Sequence, residues 1–395
     1  MPLGLYISIP FCRTKCTYCN FASDVFSKAV FERYVDRLCS DLLNAAAIAD
    51  QMGGQFERAV DSIYFGGGTP TILDIAQLHG LFVTISQNFQ VAQGAEITVE
   101  CAPGTLTPGA LDLFHALGVN RVSLGVQSFV DMESASVARL HKRETVLKDI
   151  ERLRGTGIED INIDLIAGLP HQTPESWMFS LDETIGSGAP HVSVYMLEVD
   201  EDSRLGRELI AGGTKYHAHH VPNEDLTADL YLMACDRLEQ VGIRQYEISN
   251  FARPGHESLH NLKYWRRRPY FGFGVDAHSM LSLGADGSQA VRFSTPDSLD
   301  EYLGGAALKR TSVDAQAALE EHFFLGLRLN EGVDLTQARV EFGDSIASFE
   351  HTFRELTEAQ LLERRGEILR LTRRGRMLSN EVFERFIAIS VAGEG

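Results

Sequence analysis

From Leu3 onward the chain alternates short apolar runs with longer segments whose apolar positions recur every three or four residues. Leu3–Ile9 reads as a buried strand. Helical spacing follows from Lys28 to about Ala49, with Phe31, Tyr34, Leu38 and Leu42 on one face. Strand Ala59–Phe65, a helix carrying Leu78, Phe82, Ile85 and Phe89, strand Glu96–Cys101, helix Pro108–Leu117 and strand Arg121–Val126 repeat the unit. A helix around Thr145–Arg154, strand Asp160–Ile166, a helix beginning near Pro174 and strand His191–Leu197 extend it. Strands alternating with helices at intervals of roughly 30 residues imply a parallel sheet. At least six such units predict an α/β fold, a partial (βα)6 TIM-like barrel with its chemistry at the carboxyl ends of the strands.

The pattern loosens between Glu198 and Pro222, then gives a helix (Asp225–Val241) and a strand (Arg244–Ser249). A loop-rich stretch holding His260-Asn261-Leu262-Lys263-Tyr264-Trp265 and Gly272-Phe273-Gly274 runs to about Gly287. Ala318–Asn330, Leu335–Phe342 and Ile346–Ala359 then read as helices, and Ile368–Leu371 as a strand turning into a last helix. The expected organisation is a barrel with the 260–265 extension over residues 1–285. Residues 286–395 form a smaller, mostly helical domain with a winged-helix-like end.

The chemistry begins where the first strand stops. Cys12, Cys16 and Cys19 stand in C-x3-C-x2-C spacing on one short loop. Thiolates hold iron–sulfur clusters, and a [4Fe–4S] cubane takes one ligand per iron, so three cysteines leave one iron open. A structural zinc wants four closed ligands, and no fourth Cys or His lies nearby. The remaining three of six cysteines are scattered, unlike a disulfide framework. A net charge of −18 argues against nucleic acid as the main partner. The apolar run at Leu3–Phe11 is too short to span a membrane, no later stretch is long enough, and the expected location is cytoplasmic.

Ile9-Pro10-Phe11-Cys12 leading into Cys16-Thr17-Tyr18-Cys19 resembles the signature of radical S-adenosylmethionine (SAM) proteins. Within them it is similar to the branch of anaerobic coproporphyrinogen III dehydrogenases and HemW-type haem chaperones. The resemblance runs from Leu5 to about Phe386. It implies that Gly67, Gly68 and Thr69, in the Gly66–Pro70 loop, contact the methionyl end of SAM. It also makes Glu100, Gln127, Arg139 and Asp164 SAM-contacting, with Tyr6 and Tyr18 matching SAM contacts of the dehydrogenases. The residue types suit the ligand: bare backbone at glycine, guanidinium for a carboxylate, carboxylates for hydroxyls. Each alone is as readily structural, and whether one or two SAM molecules bind is left open.

Two departures separate this chain from the dehydrogenases. Phe21 stands where they place a further cysteine, and Ser8 where they place a histidine. The His260–Trp265 segment resembles the haem-ligating motif of the HemW type, which makes His260 the expected haem ligand. Arg266, Arg267 and Arg268 follow, and guanidinium groups suit haem propionates. Asp276 adds an acid near that site. His217, His219 and His220 could suggest a metal tail, but an exposed loop is the better reading. The resemblance therefore implies a haem chaperone using a [4Fe–4S] cluster, SAM and haem, without coproporphyrinogen oxidase activity. The alternative is an oxygen-independent coproporphyrinogen III oxidase. Expected partners are haem, SAM and haem-acceptor proteins, with respiratory membrane proteins among the candidates. A homodimer is left open and nucleic acid is not expected.

Overall fold

The computed structural model describes residues 1–284 and 289–387. Six parallel strands stand side by side in chain order: β1 (Leu3–Ile9), β2 (Ala59–Gly67), β3 (Gln90–Cys101), β4 (Arg121–Gln127), β5 (Asp160–Ala167) and β6 (His191–Met196). Helices between them cover the outer face. Their starts are chemically marked: Asp74 and Gln77 close a reciprocal capping box, and Thr107 and Thr173 cap helices that begin at Pro108 and Pro174. The first helical segment breaks at Asn44 into Lys28–Leu43 and Ala45–Met52.

The expected strand Arg244–Ser249 is instead two short strands about a turn. β7 (Arg244–Gln245) pairs with β8 (Asn250–Ala252), which runs antiparallel to β6. The 260–265 segment, expected in a loop, is a helix, Leu259–Trp265. It leads to β9 (Tyr270–Phe273), which lies parallel to β1 on its free side. Antiparallel β10 (His278–Ser282), β11 (Ala290–Ser294) and β12 (Lys309–Val313) complete a twelve-stranded sheet.

The division expected at 285/286 lies outside the described residues. β10 and β11 pair across it, so the main sheet runs on to Val313. A second hydrophobic core then gathers Leu319, Phe323, Leu335, Phe353 and Phe386. Beside it lies a small antiparallel sheet of β13 (Val333–Asp334), β14 (Leu362–Arg365) and β15 (Ile368–Leu371).

Each parallel strand has two unlike faces. Leu5, Ile7, Ile63, Phe65, Val99, Val122, Leu124, Ile161, Ile163, Val192 and Val194 belong to the main core under the helices. The alternate positions are polar or small: Tyr6 and Ser8, Ser62 and Tyr64, Thr98 and Glu100, Ser123, Asn162 and Asp164, Ser193 and Tyr195. Beyond burial itself, Glu100, Asp164 and Tyr195 all oppose ionisation of Tyr64. On a flat sheet β2 and β6 would stand roughly 19 Å apart, at about 4.8 Å per strand. The polar face is therefore concave, as a partial barrel requires.

The cysteine loop is held to the end of β2 chiefly through backbone hydrogen bonds. Gly68 N–H donates to Ile9 O at 2.9 Å, and Thr69 N–H to Phe11 O at 2.8 Å. A Cβ on Gly68 would stand 2.7 Å from Phe11 O and 2.8 Å from Ile9 O, a clash with backbone that no rotamer relieves. Gly68→Ala is expected to destabilise the protein by about 2 kcal/mol or more. Denaturant unfolding checks this, and an unchanged midpoint would refute the clamp.

Candidate functional site

The three thiols share one loop whose base is closed on both sides. Cys12 N–H donates to Asp24 O at 3.0 Å and Asp24 N–H to Pro10 O at 3.0 Å. Thr17 N–H donates to Val137 O at 3.3 Å, and Leu205 N–H to Thr17 O at 2.8 Å. Cys16 is buried; Cys12 and Cys19 are partly so. Each sulfur has a polar neighbour: Thr69 Oγ1 lies 3.9 Å from Cys12, Arg139 Nη1 3.6 Å from Cys16, and Ser23 Oγ 3.9 Å from Cys19. Burial pushes the Cys12 and Cys19 thiols up from their ordinary value. A bound cation would oppose that shift and draw the thiolates out.

Among the described residues no three His, Cys, Asp or Glu side chains converge on a single ion. A cluster does not ask for convergence, since its thiolates bind separate irons. The donor set fits such a group.

Beside this loop the strand ends form a cradle. Gly67 takes φ +98°, and its N–H donates to Glu100 Oε2 at 3.2 Å. Tyr64 Oη donates to the other Glu100 oxygen at 2.7 Å. A Cβ on Gly67 would reach 3.4 Å from Tyr6 Oη, which brings Tyr6 to the same spot. The β4–β5 register shifts between Gly125 and Gln127, and Gln127 adopts φ +68°. The Gln127 amide Nε2 lies 3.2 Å from where a Cβ on Gly125 would stand, on the inner face that Ser123 and Gly125 share.

Arg139 donates to Gly125 O, while Tyr18 sits within its electrostatic reach and packs on Val137, Ile166 and Leu169. Asp164 is fixed by Ser123 Oγ at 2.9 Å and Asn162 Nδ2 at 2.7 Å. Two buried polar atoms here have no partner, Gln127 Oε1 and Arg139 Nε. Orphaned groups beside bare glycine backbone are what a small polar ligand would satisfy. All the expected SAM-contacting residues thus meet at one mouth.

Burial dominates the electrostatics of that mouth. It lifts Glu100 to about 7, with Asp164 adding repulsion against the hydrogen bonds from Tyr64 and Gly67. Asp164 is raised for the same first reason. Beneath lies a network that sequence reasoning missed. Asn162 Nδ2 also donates to Ser123 Oγ at 2.8 Å and Ser193 Oγ at 3.0 Å, and His191 Nδ1 meets Asn162 Oδ1 at 2.6 Å. The signal was present as polar residues at every second position of otherwise apolar strands.

His260 is not at the mouth. It lies on the floor, where Ser62 Oγ meets its Nδ1 at 3.0 Å and Tyr264 Oη its Nε2 at 2.8 Å. Its ring stacks on Tyr64 with centroids 5.3 Å apart, and it is 1% exposed. Glu96 of β3 accepts the N–H groups of Leu259 and His260, both at 2.9 Å. Burial, with Lys263 beside it, pulls His260 down to about 3, so the ring is neutral.

In this conformation neither ring nitrogen is free for an iron. Two of the three arginines expected to meet propionates are also engaged, while the Arg268 side chain is exposed and meets the Met1 sulfur. Arg266 pairs with Glu331 at 3.0 Å, and buried Arg267 with Glu321 at 3.0 Å and Glu341 at 3.7 Å. They tether the second core to the barrel. Asp276 lies on the turn between β9 and β10, with His278 at 3.7 Å.

The pattern of the Radical SAM superfamily matches residues 6–183, and that of the HemN C-terminal domain residues 313–378. A Bacillus subtilis protein titled Heme chaperone HemW is 34% identical, over 97% of this chain and 98% of its own length. The Escherichia coli protein of the same title is 31% identical, with 98% of each covered. Among solved structures, Escherichia coli coproporphyrinogen III oxidase (HemN), titled a radical SAM enzyme, superposes with TM-score 0.82. It is 26% identical, with 98% of this chain and 90% of that one covered.

The raised Glu100 makes stability depend on pH with a defined sign. Below about pH 4.5 the carboxyl is protonated folded or unfolded, so its preference for the neutral form is fully realised. Above that the unfolded chain gives up the proton while the folded chain keeps it, so stability falls as pH rises to about 7. Beyond about pH 7 the folded chain carries the carboxylate charge in a buried site. Glu100→Gln should remove this loss, gaining at most about 3 kcal/mol on the parent above pH 7. Melting temperature against pH for both proteins checks it. Parallel curves would exclude Glu100 as the source.

Proposed function

The chain belongs to the HemW family of the radical SAM superfamily, and from that premise we propose that it is a haem chaperone, taking haem as cargo and passing it to acceptor proteins. The observation that carries this reading is end-to-end similarity to proteins so titled, joined to a three-thiol loop beside a glycine cradle. Cys12, Cys16 and Cys19 would hold a [4Fe–4S] cluster. Gly67, Gly68, Thr69, Glu100, Gln127, Arg139 and Asp164, with Tyr6 and Tyr18, would bind SAM. A cluster held by three thiolates supplies an open iron corner for such a ligand. The chain's own residues do the rest: Thr69, Ser23 and Arg139 set the polarity around the sulfurs, and Glu100 and Asp164 offer acceptors fixed by hydrogen bonds.

His260 enters this reading as an iron ligand only in a form whose floor has opened, because Ser62, Tyr264 and Tyr64 enclose it here. A cytoplasmic setting accords with six free cysteines. Among the described residues no helix is long and apolar enough to cross a membrane. Acceptors in the respiratory membrane, and a homodimer, belong to the same proposal.

The second reading, an oxygen-independent coproporphyrinogen III oxidase, is favoured by the close superposition on HemN. Turnover separates the two. Anaerobically reconstituted protein is expected to give a stoichiometric Soret band with haem, and no protoporphyrinogen from coproporphyrinogen, SAM and reductant. Sustained product formation would put the oxidase first. In Cys16→Ser we expect iron content and the EPR signal of the reduced cluster to fall below a tenth of the parent's, with the circular dichroism unchanged. A full signal would remove the loop from the cluster site.

A further inference from the structure

Histidine is concentrated on the rim as well as on the floor. His171, in the turn after β5, places its Nε2 3.0 Å from Nδ1 of His217. Its ring centroid lies 4.0 Å from that of His220, which is in turn 4.0 Å from that of His219. Three residues of this group hold left-handed backbone, His171 at φ +69°, Tyr216 at +54° and His217 at +59°. For residues with a Cβ such conformations are strained, and they persist where surrounding structure holds them for a purpose.

The group overlooks a cavity of about 470 Å³. Thr17 and Ala138 form one wall, Arg204, Tyr216, His217 and His219 the other. Thr17 lies between Cys16 and Tyr18, so the cavity abuts the cysteine loop directly. Arg204 reaches across to Lys15 O and lies over the Tyr216 ring, with its buried Nε unpartnered.

These features suit one ligand class. No three of these imidazoles converge on a point, so the group does not offer a closed cage for a bare ion. Haem iron needs no cage, because the porphyrin supplies four equatorial nitrogens and the protein one or two axial ligands. Exposed imidazoles, a guanidinium for a carboxylate and an aromatic face beside small side chains match haem's iron, propionates and ring. The floor offers none of this in the closed form.

We propose that haem first lands in this rim cavity, with His217 or His219 as axial ligand and Arg204 facing a propionate. This rests on the haem-carrying reading above. The landing site stands against the cysteine loop, so arriving haem and the cluster site share a wall at Thr17.

The test mixes ferric haem with anaerobically purified, cluster-loaded full-length protein and follows the Soret change in a stopped-flow instrument. The parent is expected to show a bimolecular phase whose rate rises with haem concentration. In H217A/H219A that phase should slow at least tenfold, while iron-free protoporphyrin IX associates equally with both proteins. Both side chains are exposed, and unchanged circular dichroism of the double variant verifies its fold. A bimolecular phase that survives in H217A/H219A, or disappears instead in H260A, overturns the landing site while leaving the chaperone reading intact. So does loss of Zn2+ binding in the double variant with haem association unchanged, which would mark a bare-cation site. A parent that gives no Soret band at all removes both readings.

Discussion

The constraint on which the rest depends is a sheet whose hidden face is polar. One side of β1–β6 is ordinary core, packed under helices by Leu, Ile, Val and Phe. The other presents hydroxyls, amides and carboxylates into a concave interior, and Ser62, Thr98, Ser123, Asn162, His191 and Ser193 are all buried there. Burying such groups unpaired costs more than most single contacts return, so they must be tied to one another. Most are, from Asp164 through Asn162 to Ser123, His191 and Ser193, then on to Asn250 and the buried carboxylate of Glu247, while Ser62 pairs with His260 and the Thr98 hydroxyl has no partner among the described residues. Such a network fixes one arrangement of strands, because a slip of one residue would send every polar group into the apolar layer.

The same network explains how the second core is attached. Glu247 meets Arg328 at 3.6 Å, and the Arg328 guanidinium lies 4.2 Å from the centre of the Trp265 ring. Arg266 and Arg267, from the run after that helix, bind Glu331, Glu321 and Glu341. The Leu259–Trp265 helix is thus gripped at its start by Glu96 and near its end by the second core. His260 sits inside that grip. Any opening that frees its ring must loosen contacts to the barrel and to the second core together. How the floor opens and how the second core is seated are therefore coupled.

Much of this was legible in the sequence, for identifiable reasons. The βα recurrence placed five of the six parallel strands within two residues at each end, because they are flanked by caps and turns with strong local chemistry, such as Asp74–Gln77 and Thr173–Pro174. β3 starts six residues before the expected Glu96, in an exposed stretch with no apolar pattern to mark it. The SAM-contacting candidates meet at the mouth because strand ends bring distant segments together in any parallel barrel. What escaped was set by tertiary contact. Leu259–Trp265 has only seven residues, so its one local signal, the Ser258 cap on Asn261 N–H, is weak, and the side chain of Glu96, far away in sequence, supplies further support. The arginine run looked like a solvated or propionate-binding face because its carboxylate partners lie more than fifty residues downstream. The register shift beside Gln127 and its left-handed backbone depend on pairing with β5 and leave no mark in their own segment.

The two positions at which the chain departs from the dehydrogenase pattern can also be weighed in three dimensions. The Phe21 side chain is exposed and the loop uses its backbone, whose carbonyl accepts from Lys15 Nζ and Ser23 N–H, so exchanging the side chain for cysteine or back would alter chemistry more than packing. Ser8 is different. It is buried on the inner face of β1, and its carbonyl accepts the Tyr34 hydroxyl at 2.6 Å. Its Cβ would lie only 3.1 Å from one built on Gly274, which itself holds φ +100°, and its Oγ only 2.9 Å from one built on Gly67. Glycine at positions 67 and 274 is what lets these two turns approach Ser8 so closely. The imidazole that the dehydrogenase pattern has at this position is absent from the inner face of β1. Proton transfer or carboxylate binding assigned to that ring in an oxidase would need another group in its place. The residues facing the same interior, Tyr6, Tyr64 and Glu100, are already bound to one another or to backbone. The position that carries an imidazole in the dehydrogenase pattern is thus a buried serine in this chain, set among groups held by contacts of their own.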